Sequence, residues 1–284
     1  MLKILVSVTS LLLFASSGVL AEGADSARLA SVLADQPEEV QARYVFRHPQ
    51  ETLEFFGIAP GMTVVEALPG GGWYTKILLP YLGQEGAVIG ADYSLKMYPL
   101  FGFFSEERLK EKETWVTDWT AESSEWAGDE GATVSAFVFG ALPREMKGTA
   151  DAVLFIRALH NLARFEKEGG FLSYALDNAH DLLKPGGIVG VVQHMARDEM
   201  TDEWAGGQNG YLKKQFLIDQ MEAAGFDYVA DNDVNMNEKD QPADSDIVWR
   251  LPPSLATSRD NPELKAEMEA IGESNRMTLK FRKR

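Results

Sequence analysis

MTVVEALPGGGWYT, residues 62–75, reads as a buried strand, a tight glycine turn and the first turn of a helix. Val64 and Val65 are β-branched and apolar, as a strand covered on both faces requires. Glu66 places a carboxylate at the strand's end, and Pro69, which lacks an N–H, stops the ladder. Gly70, Gly71 and Gly72 admit positive φ and let another molecule come close to the backbone. Trp73, Tyr74 and Thr75 lead into KILLPYLG, an apolar helix closed by Gly83. Such a turn presents free N–H groups at a helix start, on the carboxyl edge of a strand. Two readings compete: glycines that serve the turn alone, or a nucleotide-type cofactor site.

The next segment favours the second. Residues 87–92, AVIGAD, form a second apolar strand that ends in a carboxylate. Asp92 lies about 20 residues beyond Gly72, the spacing at which an acid meets ribose hydroxyls in a βαβ unit. A G-x-G-x-x-G dinucleotide fingerprint needs a glycine where Thr75 stands, which counts against NAD.

The run from Glu66 to Gly72 resembles the acid-x-G-x-G-x-G motif of class I S-adenosylmethionine-dependent methyltransferases. The longer block RHPQETLEFFGIAPGMTVVEALPGGGWYT (47–75), with ALHN at 158–161, AAGF at 223–226 and MTLKFRKR at 277–284, resembles a family of exported, predicted methyltransferases. The resemblance spans roughly residues 43–284. It implies an α/β, Rossmann-like, seven-stranded and mostly parallel sheet, with S-adenosyl-L-methionine as cofactor. It assigns Glu66, Pro69, Gly70, Gly71 and Gly72 to the cofactor's amino-acid end and Asp92 to its ribose, with Trp73 and Tyr93 as pocket walls. It also carries His160 and Asn161 into the reaction centre. Two departures stand out. Leu68 takes the place of the superfamily's usual first glycine, and Gly140-Ala141-Leu142 follow the third strand, where an adenine-contacting acid is common.

Composition narrows the field. A chain of 284 residues with 45% hydrophobic content can build a substantial core. A formal net charge of −16 argues against nucleic acid and anionic membranes as partners. The absence of cysteine rules out disulfides, thiolate metal sites and a cysteine nucleophile. Residues 1–21 read as a secretory signal peptide: Lys3 starts it, residues 4–15 are its apolar middle, and Val19 and Ala21 flank the expected cut. The mature chain is then expected to be periplasmic or secreted, without stable membrane association.

Residues 22–57 are expected to form a helical cap ahead of the sheet, with Arg43, Arg47 and His48 as candidates to hold a carboxylate or a substrate anion. Residues 58–284 form the α/β domain. Trp115, Trp119 and Trp126 read as half-buried residues of a surface excursion. Residues 133–139 are the third strand, and residues 151–156 the fourth, which delivers His160 and Asn161 to the sheet's active edge. A fifth strand at 188–192 delivers His194. His160 and His194 are candidate proton acceptors or orienting groups, and no metal site is expected. Residues 226–234 and 277–284 are expected to pair as antiparallel strands six and seven. A polar insertion at about 235–275, containing Trp249 to Pro253, reads as a lid. The function expected is methyl transfer to a small-molecule acceptor. The alternative is an exported, non-catalytic binding protein that reuses the fold, because S-adenosylmethionine is made in the cytoplasm.

Overall fold

Short runs of β-branched and apolar residues, spaced by helices, leave little choice but a sheet buried on both faces. The computed structural model describes residues 25–284; the expected leader over residues 1–21 lies outside the described residues. Seven strands form one sheet: β1 (Thr63–Ala67), β2 (Ala87–Asp92), β3 (Thr133–Val138), β4 (Ala150–Ile156), β5 (Leu183–His194), β6 (Phe226–Asn232) and β7 (Arg276–Lys283). Their order is β3-β2-β1-β4-β5-β7-β6. The first five run parallel, and β7 lies antiparallel between β5 and β6. This is the Rossmann-like sheet with an antiparallel closing pair that the sequence predicts.

The order reverses between β1 and β4, whose neighbours on the far sides are β2 and β5. At such a switch point the following segments leave to opposite faces, and a crevice opens beyond the carboxyl ends of the two strands.

Side chains alternate between two apolar layers, as the two-residue strand period dictates. Val65, Ile89, Phe155 and Val191 pack on one face with helices α8 (Leu159–Arg164), α10 (Phe171–Leu182) and α11 (Lys214–Ala223). Val64, Val88, Leu154 and Val192 pack on the other. That second layer takes Leu29 and Leu33 of α1 (Ser26–Ala34), Leu53 and Phe56 of α4 (Pro49–Phe56), and the apolar side of α5 (Thr75–Leu82). Helices α1 and α4, joined by the short α2 (Glu38–Gln41) and α3 (Tyr44–Arg47), are thus part of the sheet's own packing. Among the described residues no helix is long and apolar enough to cross a membrane.

The tryptophan segment departs from its sequence reading. Residues 115–127 form a regular helix, α7, preceded by α6 (Glu106–Glu113), and Trp119 is buried against the sheet rather than half-exposed. The reason is Gly90 in β2: a Cβ there would stand 2.5 Å from the Trp119 ring, so the missing side chain is the space that the indole fills. A polar helix is anchored through an aromatic that single-sequence polarity does not reveal. The KPGG turn at 184–187 is likewise inside β5, which starts at Leu183, well before the predicted Ile188.

Gly90→Ala is expected to destabilise the fold by about 1–3 kcal/mol, the usual cost of overpacking a filled core. In a Trp119→Leu background the same change should be neutral or stabilising, because alanine otherwise suits a strand better than glycine. Urea denaturation of the four proteins in this cycle checks both statements.

Candidate active site

The crevice predicted at the switch point is a cavity of about 460 Å³, within the usual size range of small-molecule sites. Leu68, Pro69, Gly70, Gly71 and Trp73 form one wall, just beyond β1. Ile156, Arg157, His160 and Asn161 follow β4, and His194 ends β5. Arg43 and Arg47 close it from the N-terminal helices, while residues 248–254 with Glu273 and Ser274 close it from the C-terminal insertion. The insertion is ordered around a buried Arg250–Asp240 ion pair of 2.7 Å, which also engages the Tyr211 hydroxyl. It forms one wall of the cavity, with the short helix α12 (Pro262–Ile271) at its far end.

Backbone strain marks the site. Leu68 and Arg157, the residues that follow the adjacent strands β1 and β4, both adopt left-handed backbone, with φ of 55° and 58°. That conformation costs a non-glycine residue about 1–2 kcal/mol, and such strain gathers where function over-determines the chain. Leu68 performs a turn that favours glycine, and the Leu68 N–H donates to the Ala91 carbonyl at 2.7 Å. Beyond it Gly71 faces open space, with nothing within 4 Å of where a Cβ would be.

Beneath this turn the Glu66 carboxyl accepts from the Thr75 hydroxyl at 2.6 Å. Burial raises its pKa to about 8, against the opposing effects of Thr75 and the Arg157 charge. Glu66 is 4% exposed and ties the strand end to the start of α5.

The two histidines come together, with ring centroids 5.3 Å apart. His160 also meets Trp249 edge-on at 5.8 Å. Its Nδ1 lies 3.3–3.4 Å from the Gln193 amide. The His194 Nδ1 lies 2.5 Å from the Ser274 hydroxyl. Burial pushes His160 down to about 4 and His194 well below its ordinary value. Both imidazoles are neutral at physiological pH, as hydrogen-bonding groups of a site must be if they are to accept. Asn161 donates to the Tyr93 hydroxyl at 2.8 Å, and its Oδ1 is buried without a partner. The Trp73 Nε1 and Arg157 Nε are buried and unpartnered as well.

Four of the sequence-predicted cofactor residues, Glu66, Gly72, Asp92 and Tyr93, do not line this cavity. Gly72 is covered by the Trp126 ring, 2.3 Å from where its Cβ would sit. Asp92 is 7% exposed, because its carboxylate accepts from the Tyr98 hydroxyl and, at 2.8 Å, from the Tyr93 N–H. Lys112 stands 3.8 Å away, and burial still raises the pKa of Asp92. Tyr93 is packed among Tyr98 and Phe101 and held by Asn161. Of the predicted anion-holding trio, Arg43 and Arg47 line the cavity and His48 does not.

The sequence reading missed Arg157, Glu273, Ser274 and Arg276 as site residues. Glu273 accepts from Arg43, from Arg47 Nε at 3.0 Å and from Arg276 Nη1 at 3.1 Å, and Arg157 Nη1 lies 3.8 Å away. Burial alone would raise the Glu273 pKa, but the surrounding guanidiniums outweigh it and hold the group below its ordinary value. Among the described residues no group of three His, Asp or Glu side chains could hold a metal ion.

No protein-family model and no curated protein matches the chain. Solved structures do. The crystal structure of the [4+2]-cyclase SpnF aligns over 84% of this chain and 80% of its own, at 17% identity and a TM-score of 0.54. A SAM-dependent methyltransferase from Aquifex aeolicus aligns over 74% of this chain and 93% of its own, at 18% identity and a TM-score of 0.49. The chain shares with SpnF a Rossmann-like, seven-stranded α/β fold. Likeness at this level is a statement about architecture, and the chemistry has to come from the cavity.

The raised Glu66 pKa has a thermodynamic consequence. An acid whose folded pKa lies above its unfolded value makes folding less favourable as pH rises between the two. The buried histidines act oppositely, but only below about pH 6.5, their unfolded value. Between about pH 6.5 and pH 8 wild-type stability is therefore expected to fall relative to Glu66→Gln, by on the order of 1–2 kcal/mol. Parallel denaturation curves at the two ends of this window check the difference.

Proposed function

We propose that this chain is an exported S-adenosylmethionine-dependent methyltransferase acting on a small-molecule acceptor. The observation that carries the reading is the cavity at the β1/β4 switch point, with the strained Leu68–Gly71 turn on one side and His160, Asn161 and His194 on the other.

The residues present can meet both ends of the cofactor. The amino-acid end suits the open backbone at Gly71, the unpartnered Trp73 Nε1 and the carboxyl of Glu66. The ribose end suits Asp92 by one exchange: the Tyr98 hydroxyl, which now donates to the carboxylate, gives way to ribose hydroxyls that donate in the same sense. Tyr93 and Trp73 are the proposed walls, and Pro69, Gly70 and Gly72 shape the turn. When bound, S-adenosylmethionine supplies an electrophilic methyl group.

The chain's own residues then do the positioning, which provides most of the acceleration in such a displacement. Neutral His160 accepts a hydrogen bond from the acceptor's nucleophile and orients its lone pair. With a pKa near 4 it is a weak base, so it suits acceptors that need aligning more than deprotonating. His194, fixed by Ser274, and Asn161, fixed by Tyr93, hold the remaining polar edges.

A second reading, a non-catalytic binding protein, draws on the Tyr98–Asp92 contact, which keeps the ribose acid covered. Calorimetry with S-adenosylhomocysteine separates the two. Methyl transfer requires micromolar binding, and Tyr98→Phe should tighten it several-fold by removing the competing donor. Asp92→Ala should weaken it by about 1.5–3 kcal/mol, the worth of hydrogen bonds to a charged group. No binding by folded wild-type protein would leave the binding-protein reading.

For His160 the expected pattern is a split. His160→Ala should leave S-adenosylhomocysteine affinity unchanged while lowering turnover by about 10²–10⁴-fold, measured as S-adenosylhomocysteine formed with an accepted substrate. Loss of cofactor affinity in a folded variant would contradict an acceptor-side role.

A further inference from the structure

We infer that the acceptor is a small organic anion with a flat apolar body, and that Arg157 holds its carboxylate or phosphate. This rests on the methyltransferase reading for the word acceptor, but not for the anion site itself.

Charge is the first ground. In a chain of net charge −16, four guanidiniums, those of Arg43, Arg47, Arg157 and Arg276, gather around one carboxylate, Glu273. Arg47, Arg276 and Glu273 are each at most 5% exposed, so solvent does little to screen the imbalance. Glu66, the other buried acid that feels the Arg157 charge, has its pKa raised to about 8 by burial and so offsets the imbalance little at neutral pH. A cleft of one sign with low-dielectric walls concentrates its field on whatever enters.

Unequal satisfaction is the second ground. Arg47 and Arg276 bond Glu273 at 3.0–3.1 Å, and Arg276 adds the Phe46 and Ser274 carbonyls. Those two, with Arg43, have a structural task in tying the N-terminal helices to β7. Arg157 does not share in it. Its closest approach to Glu273 is 3.8 Å, its Nε lacks a partner, and it sits on strained backbone at the cavity wall. A buried N–H such as that Nε, left short of acceptors on a side chain still 26% exposed, is costly unless something at the cavity supplies one. Carboxylate and phosphate oxygens match the guanidinium fork and are bound strongly through charge-assisted bonds.

The opposite wall is the third ground. Trp249, Val248, Leu251, Pro252 and Pro253 make it apolar, and Trp73 carries the Arg47 guanidinium 4.5 Å above its ring. His160 lines the same cavity as Arg157 and meets Trp249 edge-on at 5.8 Å, so an anion held by Arg157 and packed against Trp249 brings its apolar body to the imidazoles.

Benzoate is the probe, with benzyl alcohol as its neutral counterpart, and binding is read by calorimetry on the whole protein. Benzoate is expected to bind at least about tenfold more tightly than benzyl alcohol. Arg157→Met should erase that preference with the fold intact by circular dichroism. Glu273→Gln should tighten benzoate, because it removes the competing carboxylate; a purely structural cluster would show no such gain. Equal affinities for the two probes, or benzoate binding unaffected by Arg157→Met, would overturn the site. Should Glu273→Gln not fold, the Arg157 variant decides alone.

Saturation with S-adenosylhomocysteine gives the last arm. Benzoate binding that persists supports an acceptor subsite beside the cofactor. Displacement would mean that the arginines hold the cofactor's own carboxylate, and would overturn the acceptor assignment. If S-adenosylhomocysteine does not bind, the methyltransferase reading fails by itself, and the benzoate data still decide the anion site.

Discussion

Glu273 holds the molecule's functional end together. Its buried carboxylate reaches Arg43 and Arg47 from the N-terminal helices and Arg276 from β7, with Arg157 at the end of β4 close by. Three parts of the chain far apart in sequence therefore meet on one anion. A buried ion pair of this kind adds little net stability, because desolvation consumes most of the attraction. What it adds is specificity of assembly: an arrangement that left any of these guanidiniums buried without a carboxylate would be penalised heavily. The same constraint leaves the cavity positively charged, since a single acid serves too many bases.

The cavity's location follows from sheet topology rather than from these charges. The strand order reverses between β1 and β4, and the crevice lies at their carboxyl ends. Left-handed backbone at Leu68 and Arg157 turns both strand exits sharply at its rim. The strain is held in place by the buried strands behind it, which are packed on both faces and cannot relax.

The β2 exit is organised differently. Asp92 is satisfied by Tyr98, by the Tyr93 N–H and by Lys112, and a cluster of aromatic rings from Tyr93 to Phe104 packs over it. A tyrosine hydroxyl and a ribose hydroxyl are both neutral donors to the same acceptor, so occupancy of Asp92 is an exchange of like for like. Under the proposed function, the local aromatic segment is the element that must yield for a ribose to reach this carboxylate.

Sequence by itself determined the strands, their parallel order and the position of the glycine turn, because these depend on local periodicity and on chain geometry within a few dozen residues. The carboxylates Glu66 and Asp92, at the ends of β1 and β2, and His160-Asn161, at the start of α8 just beyond β4, were legible for the same reason: each sits at the carboxyl end of an apolar strand. Only the tertiary structure decided that Trp119 fills the space above Gly90, that Tyr98 occupies Asp92, and that Arg157 meets Glu273 across the cavity. Those contacts join residues with no periodic relation, and their sign and strength come from burial, which a linear sequence of charges does not reveal. A glutamate in a polar insertion reads as solvated until the fold removes its water.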